Sequence, residues 1–262
     1  MKLIHEPLSI RRQAVLGAAG VVGSALVVEV LMRTVVSKDG LPVPSRVLGS
    51  LGSLFADASF WRAVGFTLAE WVLALVMATV LGVVVGASMG ASRMAMITFE
   101  LPVEAFRVLP SIALGPILVL LLGQGMLPLS ITVALACVWP ILLNTMYAVR
   151  GADTTAIQTA RSFGLSRAAV VRRVVLPAAL PFTFTGVRVA ASIGLIVAVS
   201  AELIVGGGSG IGGYILLNSA NATDLDLVYA ATLVAGVLGV VVSTLMSVVD
   251  ARVFGWKKGL AQ

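Results

Sequence analysis

Six stretches of this chain are each long and apolar enough to cross a lipid bilayer as a helix: Gln13–Val36, Val64–Ala91, Thr98–Leu122, Leu127–Val149, Pro181–Val205 and Leu227–Val249. A hydrocarbon core about 30 Å thick is crossed by about 20 apolar helical residues. No water reaches the backbone inside it, so only helices and closed barrels are admissible there. The runs lack the strict polar–apolar alternation of barrel strands. The expected fold is a single-domain, all-α integral membrane protein with about six transmembrane helices. Composition agrees: 59% of the 262 residues are hydrophobic and 11% charged, against about half and about a quarter in a soluble domain. Lys2, Arg11 and Arg12 precede the first run as they would a signal peptide. That run is too long for a signal core and shows no clean small-residue cleavage site, so it reads as a span.

An even number of spans leaves both ends on one side. The N-terminal tail (1–12) carries Lys2, Arg11 and Arg12, and the loop after the second span carries Arg93. The loop over 150–180 carries Arg150, Arg161, Arg167, Arg172 and Arg173, and the tail over 250–262 carries Arg252, Lys257 and Lys258. The opposite loops, around 123–126 and 206–226, have neither Lys nor Arg. One outer segment departs from this, with Arg33, Lys38, Arg46 and Arg62 partly offset by Asp39 and Asp57. Lys and Arg gather on cytoplasmic loops, so both termini and the 150–180 loop are expected in the cytoplasm. The net charge of +6 then reports topology and contact with the lipid bilayer, not nucleic acid. Cys137 is the single cysteine and His5 the single histidine; a disulfide within the chain is excluded, and a histidine metal site or relay is disfavoured.

Prolines punctuate two spans: Pro102, Pro110 and Pro116 the third, Pro128 and Pro140 the fourth. Each removes a backbone donor and crowds the preceding turn. In lipid such breaks are tolerated where neighbouring helices or a water-filled cavity satisfy the freed groups. Broken third to fifth spans, with Pro110 among them, are therefore candidates for lining a solute path.

The segment "QTARSFGLSRAAVVRRVVLP" (158–177) is foreign to its apolar surroundings, with Arg161, Arg167, Arg172 and Arg173 and no acid. Residues 153–163 favour helix, capped by Asp153 or Thr154. Gly164 interrupts as a residue at positive φ would. Ser166 caps a second helix over Arg167–Val174, and Pro177 is expected to end it. A helix–glycine–helix hairpin results. By charge alone the better reading is a basic loop that fixes topology and touches headgroups.

Spacing adds a resemblance. Gln158-Thr159-Ala160, then Gly164 after three residues, Val174 after nine more, and Leu176-Pro177 follow the E-A-A, G, I, L-P signature of permease subunits of ABC importers. Gln158 replaces the acid, Thr159 an alanine and Val174 an isoleucine. "LPVPSRVL" (41–48), "WPILLNT" (139–145), "VRGAD" (149–153), "LPAALPFTFTGVRVA" (176–190) and "SAELIVGGGSGIGGYI" (200–215) are similar to the nitrate/sulfonate/taurine type of that family, in the same order. The resemblance implies a multi-pass permease of the bacterial inner membrane, non-catalytic, acting as a homodimer. It implies two ATP-binding subunits that hold ATP and Mg²⁺, and an extracytoplasmic solute-binding protein. Gln158, Thr159, Ala160, Arg161, Ser162, Phe163, Gly164, Leu165, Ser166, Leu176 and Pro177 would form the coupling loop, with Phe163 as apolar anchor. No phosphate-binding G-x-x-x-x-G-K-[ST] pattern occurs in the chain, so ATP belongs to another one.

Other motifs have plainer readings. "GASMG" (86–90) matches a hydrolase elbow but ends an apolar helix and has no histidine base; small residues that let helices approach are the better account. "GSGIGG" (208–213) fits a dinucleotide fingerprint but follows a span, and a turn leading into a short helix over Tyr214–Asn221 is expected instead. Glu29 and Arg33 are placed to pair, as are Glu100, Glu104 and Arg107; Glu70 is expected to reach headgroups. Arg188 and Glu202 share the fifth span, about 21 Å apart along it, too far to pair. Arg188 is expected to snorkel or face the path, and Glu202 to bond the 206–213 turn or contact solute. Two rivals are a stand-alone secondary transporter or channel, which needs midplane charges and repeats that are not evident, and an intramembrane protease, which the lack of histidine in any span disfavours.

Overall fold

Glycine at every fourth position creates the central contact. The computed structural model describes residues 10–34, 42–205, 209–220 and 224–255. In it Gly82, Gly86 and Gly90 of helix α3 (Ala58–Ala91) lie on α6 (Met126–Arg150). A Cβ on Gly82 would stand 2.9 Å from Ile141 Cγ2, one on Gly90 2.7 Å from the Met146 carbonyl, and one on Gly86 would strike the Leu142 carbonyl. Only small residues permit so close an approach. "GASMG" is part of this seam, and the Ser88 hydroxyl merely donates to the Val85 carbonyl.

The two partners rise in register together, 82 against 138–141, 86 against 142–145 and 90 against 146–149. Helices α3 and α6 are therefore parallel, and the chain between them must return across the bundle. It does so as α4 (Arg93–Arg107) and α5 (Ser111–Leu122), bent by 93° at their junction. Val103 of α4 packs with Met89 and Met146 at one end; Gly115 of α5 meets Thr132 and Val205 at the other. The third expected span is thus one crossing made of two helices rather than a single rod. Pro110 is the reason: it disfavours helix at Leu109 and has no N–H of its own. It sits at φ −68°, ψ 104° as the N-cap of α5.

The fourth and fifth spans are not broken, contrary to expectation. Pro128 lies in the first turn of α6, where a missing donor costs nothing. Pro140 is carried inside α6, and the Asn144 amide donates to its carbonyl at 2.8 Å. Helix α9 (Leu176–Val205) runs antiparallel to α6 and α3: Gly186 packs on Pro140 and Asn144, Gly194 on Cys137, and Trp71 Nε1 donates to the Ala191 carbonyl at 2.9 Å. Helix α11 (Leu225–Val253) returns beside α9, with Val242 packed near Leu195 and Asp250 beside Arg188. Two short helices complete the far end, α2 (Pro44–Ala56), with Pro44 at its first position, and α10 (Gly210–Ala220). Helix α10 begins four residues before the expected Tyr214, and Asn221 lies outside the described residues.

Helix α1 (Ile10–Thr34) stands away from the bundle and is tied to α2 by one knot. Glu29 accepts from Arg33 Nε at 2.6 Å and from the Ser45 hydroxyl and amide at 2.8 and 3.0 Å. With α4–α5 counted as one, six segments can cross a membrane. The register places Arg93, Arg150 and Arg252 at one end of the bundle with the basic hairpin. Lys2, His5, Lys38, Asp39, Gly206–Gly208, Lys257 and Lys258 lie outside the described residues, as does the side chain of Arg11.

Candidate functional site

The basic segment folds as a hairpin held by its own backbone. Asp153 caps α7 (Thr154–Ser162), its carboxylate accepting from the Thr155 amide at 2.8 Å. The helix closes on Gly164 at φ +79°. The Leu165 amide donates to the Ala160 carbonyl at 3.1 Å and the Gly164 amide to Arg161 at 2.9 Å. This paired bonding satisfies the last carbonyls and demands a left-handed residue at the turn. Ser166 then caps α8 (Arg167–Val170), accepting from Ala169 at 3.3 Å.

Pro177 does not end the second helix. Val171–Val175 widen into a π-turn, in which the Leu176 amide reaches back to the Val171 carbonyl. The wider turn takes up the proline ring that a tight helix would reject. Residues 167–205 form a run of 39 helical residues, so the second arm of the hairpin and the fifth span are one continuous rod. The expected loop over 150–180 is helical for most of its length.

What the hairpin presents is distinctive. Phe163 is 80% exposed at the turn, and Gln158, Thr159, Arg161, Ser162, Gly164, Ser166, Arg167, Arg172 and Arg173 are exposed around it. Ala160 and Leu165 are half-buried, and Leu176 and Pro177 lie on the exposed stem. An apolar ring displayed this way serves no packing purpose among the described residues.

The three path candidates are not gathered into one site. Pro110 is exposed at the α4–α5 elbow. Arg188 points to α11, with Nη1 3.8 Å from Asp250. Glu202 is fully buried at the opposite end. Its carboxylate accepts from the Thr67 hydroxyl and the Gly212 amide, both at 2.7 Å, while the Ile211 amide donates to Thr67 at 2.8 Å. Glu202 thus secures the first turn of α10, the structural alternative read for it in sequence. Gly210, at φ +77°, has no side chain because the Glu202 carboxylate occupies that space. Glu70 corrects an expectation: it is fully buried inside the bundle beside Glu202 rather than exposed toward headgroups. Nothing in sequence spacing signals that meeting, which joins residues far apart in the chain. Of the acid–base pairings read near the third span, Glu104–Arg107 forms at 2.6 Å.

Beside this knot Asp57 caps α3 and also accepts from the Tyr214 hydroxyl at 2.9 Å. The bonds from Ser59, then that from Tyr214, hold the Asp57 carboxyl below its ordinary range. Burial, then the bond to Asp57, pushes the Tyr214 phenol up to about 12. A cleft of 580 Å³ opens between α9 and α11, lined by Ser192, Ile196, Ser200, Gly236 and Ser243; none of the three path candidates borders it. Among the described residues no cluster of metal-ligating side chains occurs.

Comparison with known proteins gives the arrangement its context. Residues 78–255 match the family described as binding-protein-dependent transport system inner membrane component. The putative aliphatic sulfonates transport permease protein SsuC of Escherichia coli K12 is 33% identical over 76% of this chain and 75% of its own. A putative ABC transporter permease of Methanocaldococcus jannaschii is 28% identical over 60% of this chain, which spans 58% of that relative's length. The crystal structure of an amino acid ABC transporter shares the fold, with a TM-score of 0.64 at 15% identity over 81% of this chain and all of that one. This chain belongs to the family of binding-protein-dependent transport system inner membrane components, and is a membrane-embedded permease subunit of an importer of that kind.

Proposed function

We propose that this permease forms half of a homodimeric path and is driven through the hairpin at Gly164 by a separate ATP-binding chain. ATP and Mg²⁺ are held by that chain, two copies serving one dimer. The observation that carries the reading is mechanical. An exposed phenylalanine tips a capped hairpin whose second arm continues as one rod from Arg167 to Val205. A rigid-body movement of a partner seated on Phe163 is thereby transmitted to the far end, where α9 grips α10 through Glu202. Gln158 keeps the length of the signature acid and an acceptor.

The excess of arginine at the hairpin end supports a cytoplasmic assignment for that end, both tails (1–12 and 250–262) and the 150–180 loop. The α10 end then faces the binding protein. The α4–α5 elbow carries exposed Val108 and Leu109 and interrupts the helix at Pro110, and such a break at membrane depth is tolerated where protein or a water-filled cavity surrounds it. A second copy of the chain covers that elbow, and the path lies between the copies with Pro110 at its wall. The solute is a small molecule such as a sulfonate, nitrate or taurine, a choice supported by the sulfonate and taurine permeases among the relatives.

The test is Gly164→Asp in proteoliposomes with the ATP-binding chain and the binding protein. Insertion is expected to be normal and solute-stimulated ATP hydrolysis lost. Full stimulation in that variant refutes the reading.

A further inference from the structure

Residues 158–177, which make the turn and stem of the hairpin, carry charge of one sign only. Arg161 and Arg167 flank Phe163 and Gly164, Arg172 and Arg173 follow on the stem, and all four are exposed. None forms an ion pair among the described residues. The nearest acid in the chain, Asp153, is committed to the α7 cap. Unpaired cations around an exposed apolar ring leave two classes of counterpart, anionic headgroups or an acidic protein surface.

Geometry separates them. Gly90 and Val149 pack together at the end of the bundle that bears Arg93 and Arg150, and we take these arginines, a residue type that gathers at the cytoplasmic face, as the level of the membrane edge. The rod extends beyond Ala179 and Leu180 for more than a dozen residues before Arg167, about 20 Å of helix. Electrostatic reach at physiological salt is about 8 Å. Arg161, Arg167 and Phe163 therefore stand beyond the effective field of the headgroups, whereas a protein partner can meet them directly. The stiff turn at Gly164 fixes the charges relative to the ring, as a docking surface requires.

We infer that the groove receiving this hairpin on the ATP-binding chain is apolar at its floor and acidic at its rim, with carboxylates facing Arg161 and Arg167. The inference rests on the coupling reading above and adds the chemistry of the partner. The ring supplies the buried anchor. The arginines steer encounter and select among ATP-binding chains, because like charge opposite like charge is excluded. Where the signature acid would reach toward a partner, Gln158 is neutral, so the recognition charge of this hairpin is wholly positive.

The test measures association of the co-purifying ATP-binding chain with the permease in nanodiscs, once in zwitterionic lipid and once with anionic lipid. Arg161→Glu and Arg167→Glu are each expected to raise the dissociation constant at least about tenfold, Arg→Lys to change it little, and rising salt to weaken wild type more than either reversal. The effects are expected to be equal in both lipids. Unchanged association in the reversals, with loss in Phe163→Ala, overturns the acidic rim and leaves coupling intact. A reversal effect seen only with anionic lipid overturns it in favour of headgroups. If Phe163→Ala too retains full association and stimulation, the coupling reading itself fails.

Discussion

The carboxylate of Glu202 accepts the Gly212 amide at 2.7 Å, and that bond ties the last turn of the α9 rod to the first turn of α10. An anion at a helix start meets unsatisfied N–H groups and the positive end of the helix dipole. The Thr67 hydroxyl completes the knot from α3. Glu202→Ala leaves the Gly212 amide and Thr67 buried without this partner, at about 1–3 kcal/mol for each orphaned group. The expected outcome is a lower unfolding temperature in detergent and faster amide exchange in α10. Unchanged exchange there would show that the knot does not hold the helix.

Gly86 and Gly65 form a natural pair of controls on α3. A Cβ at Gly86 strikes the Leu142 carbonyl, whereas at Gly65 it meets nothing within 4 Å. Gly86→Ala is expected to cost about 1–3 kcal/mol through forced separation of α3 and α6. Gly65→Ala is expected to be neutral or slightly stabilising, since alanine suits a helix interior better. Thermal unfolding of the two variants side by side decides the matter; equal stability would contradict the parallel seam.

Gly164 adopts φ +79° in open space, so the cost of replacing it is backbone strain alone. Gly164→Ala is expected to lose about 1–2 kcal/mol of hairpin order, and Gly164→Asn less, because asparagine visits the left-handed region more readily. Stimulated ATP hydrolysis in the reconstituted importer should fall in the order glycine, asparagine, alanine. The reverse order for the two variants would mean that the turn's conformation is not what matters.

The Asp57–Tyr214 bond has a defined pH window. The Asp57 carboxyl is lowered by its bonds, so its contribution is complete above the ordinary carboxylate range and is lost as pH falls through the lowered value. The Tyr214 phenol is raised to about 12; its contribution is complete below the ordinary tyrosine value near 10 and fades between there and about 12. Ultraviolet titration of wild type minus Tyr214→Phe is expected to isolate a phenolate transition near 12. A difference transition near 10 would place that hydroxyl in water.

Much of the hairpin was legible because its rules are local. The cap at Asp153, the turn at Gly164 and the cap at Ser166 depend on neighbours within five residues, and each is where the sequence indicates. Pro177 misled for a related reason: proline inside a helix usually ends it, but a π-turn ending two residues upstream absorbs the ring. Glu70 was misread because its distance from the end of an apolar run says nothing about what packs over it.

Sequence alone determined that lipid is the solvent, where the apolar rods lie, which end carries the arginines and which family the motifs resemble. Each follows from hydrophobicity, charge or turn chemistry summed over a few adjacent residues. Only the tertiary structure decided that α3 and α6 run parallel, that the third crossing bends by 93°, and that Thr67 and Glu202, 135 residues apart, share a hydrogen bond. Those outcomes depend on which surfaces fit at close range once the rods are side by side, and hydropathy is nearly the same on every face of such rods.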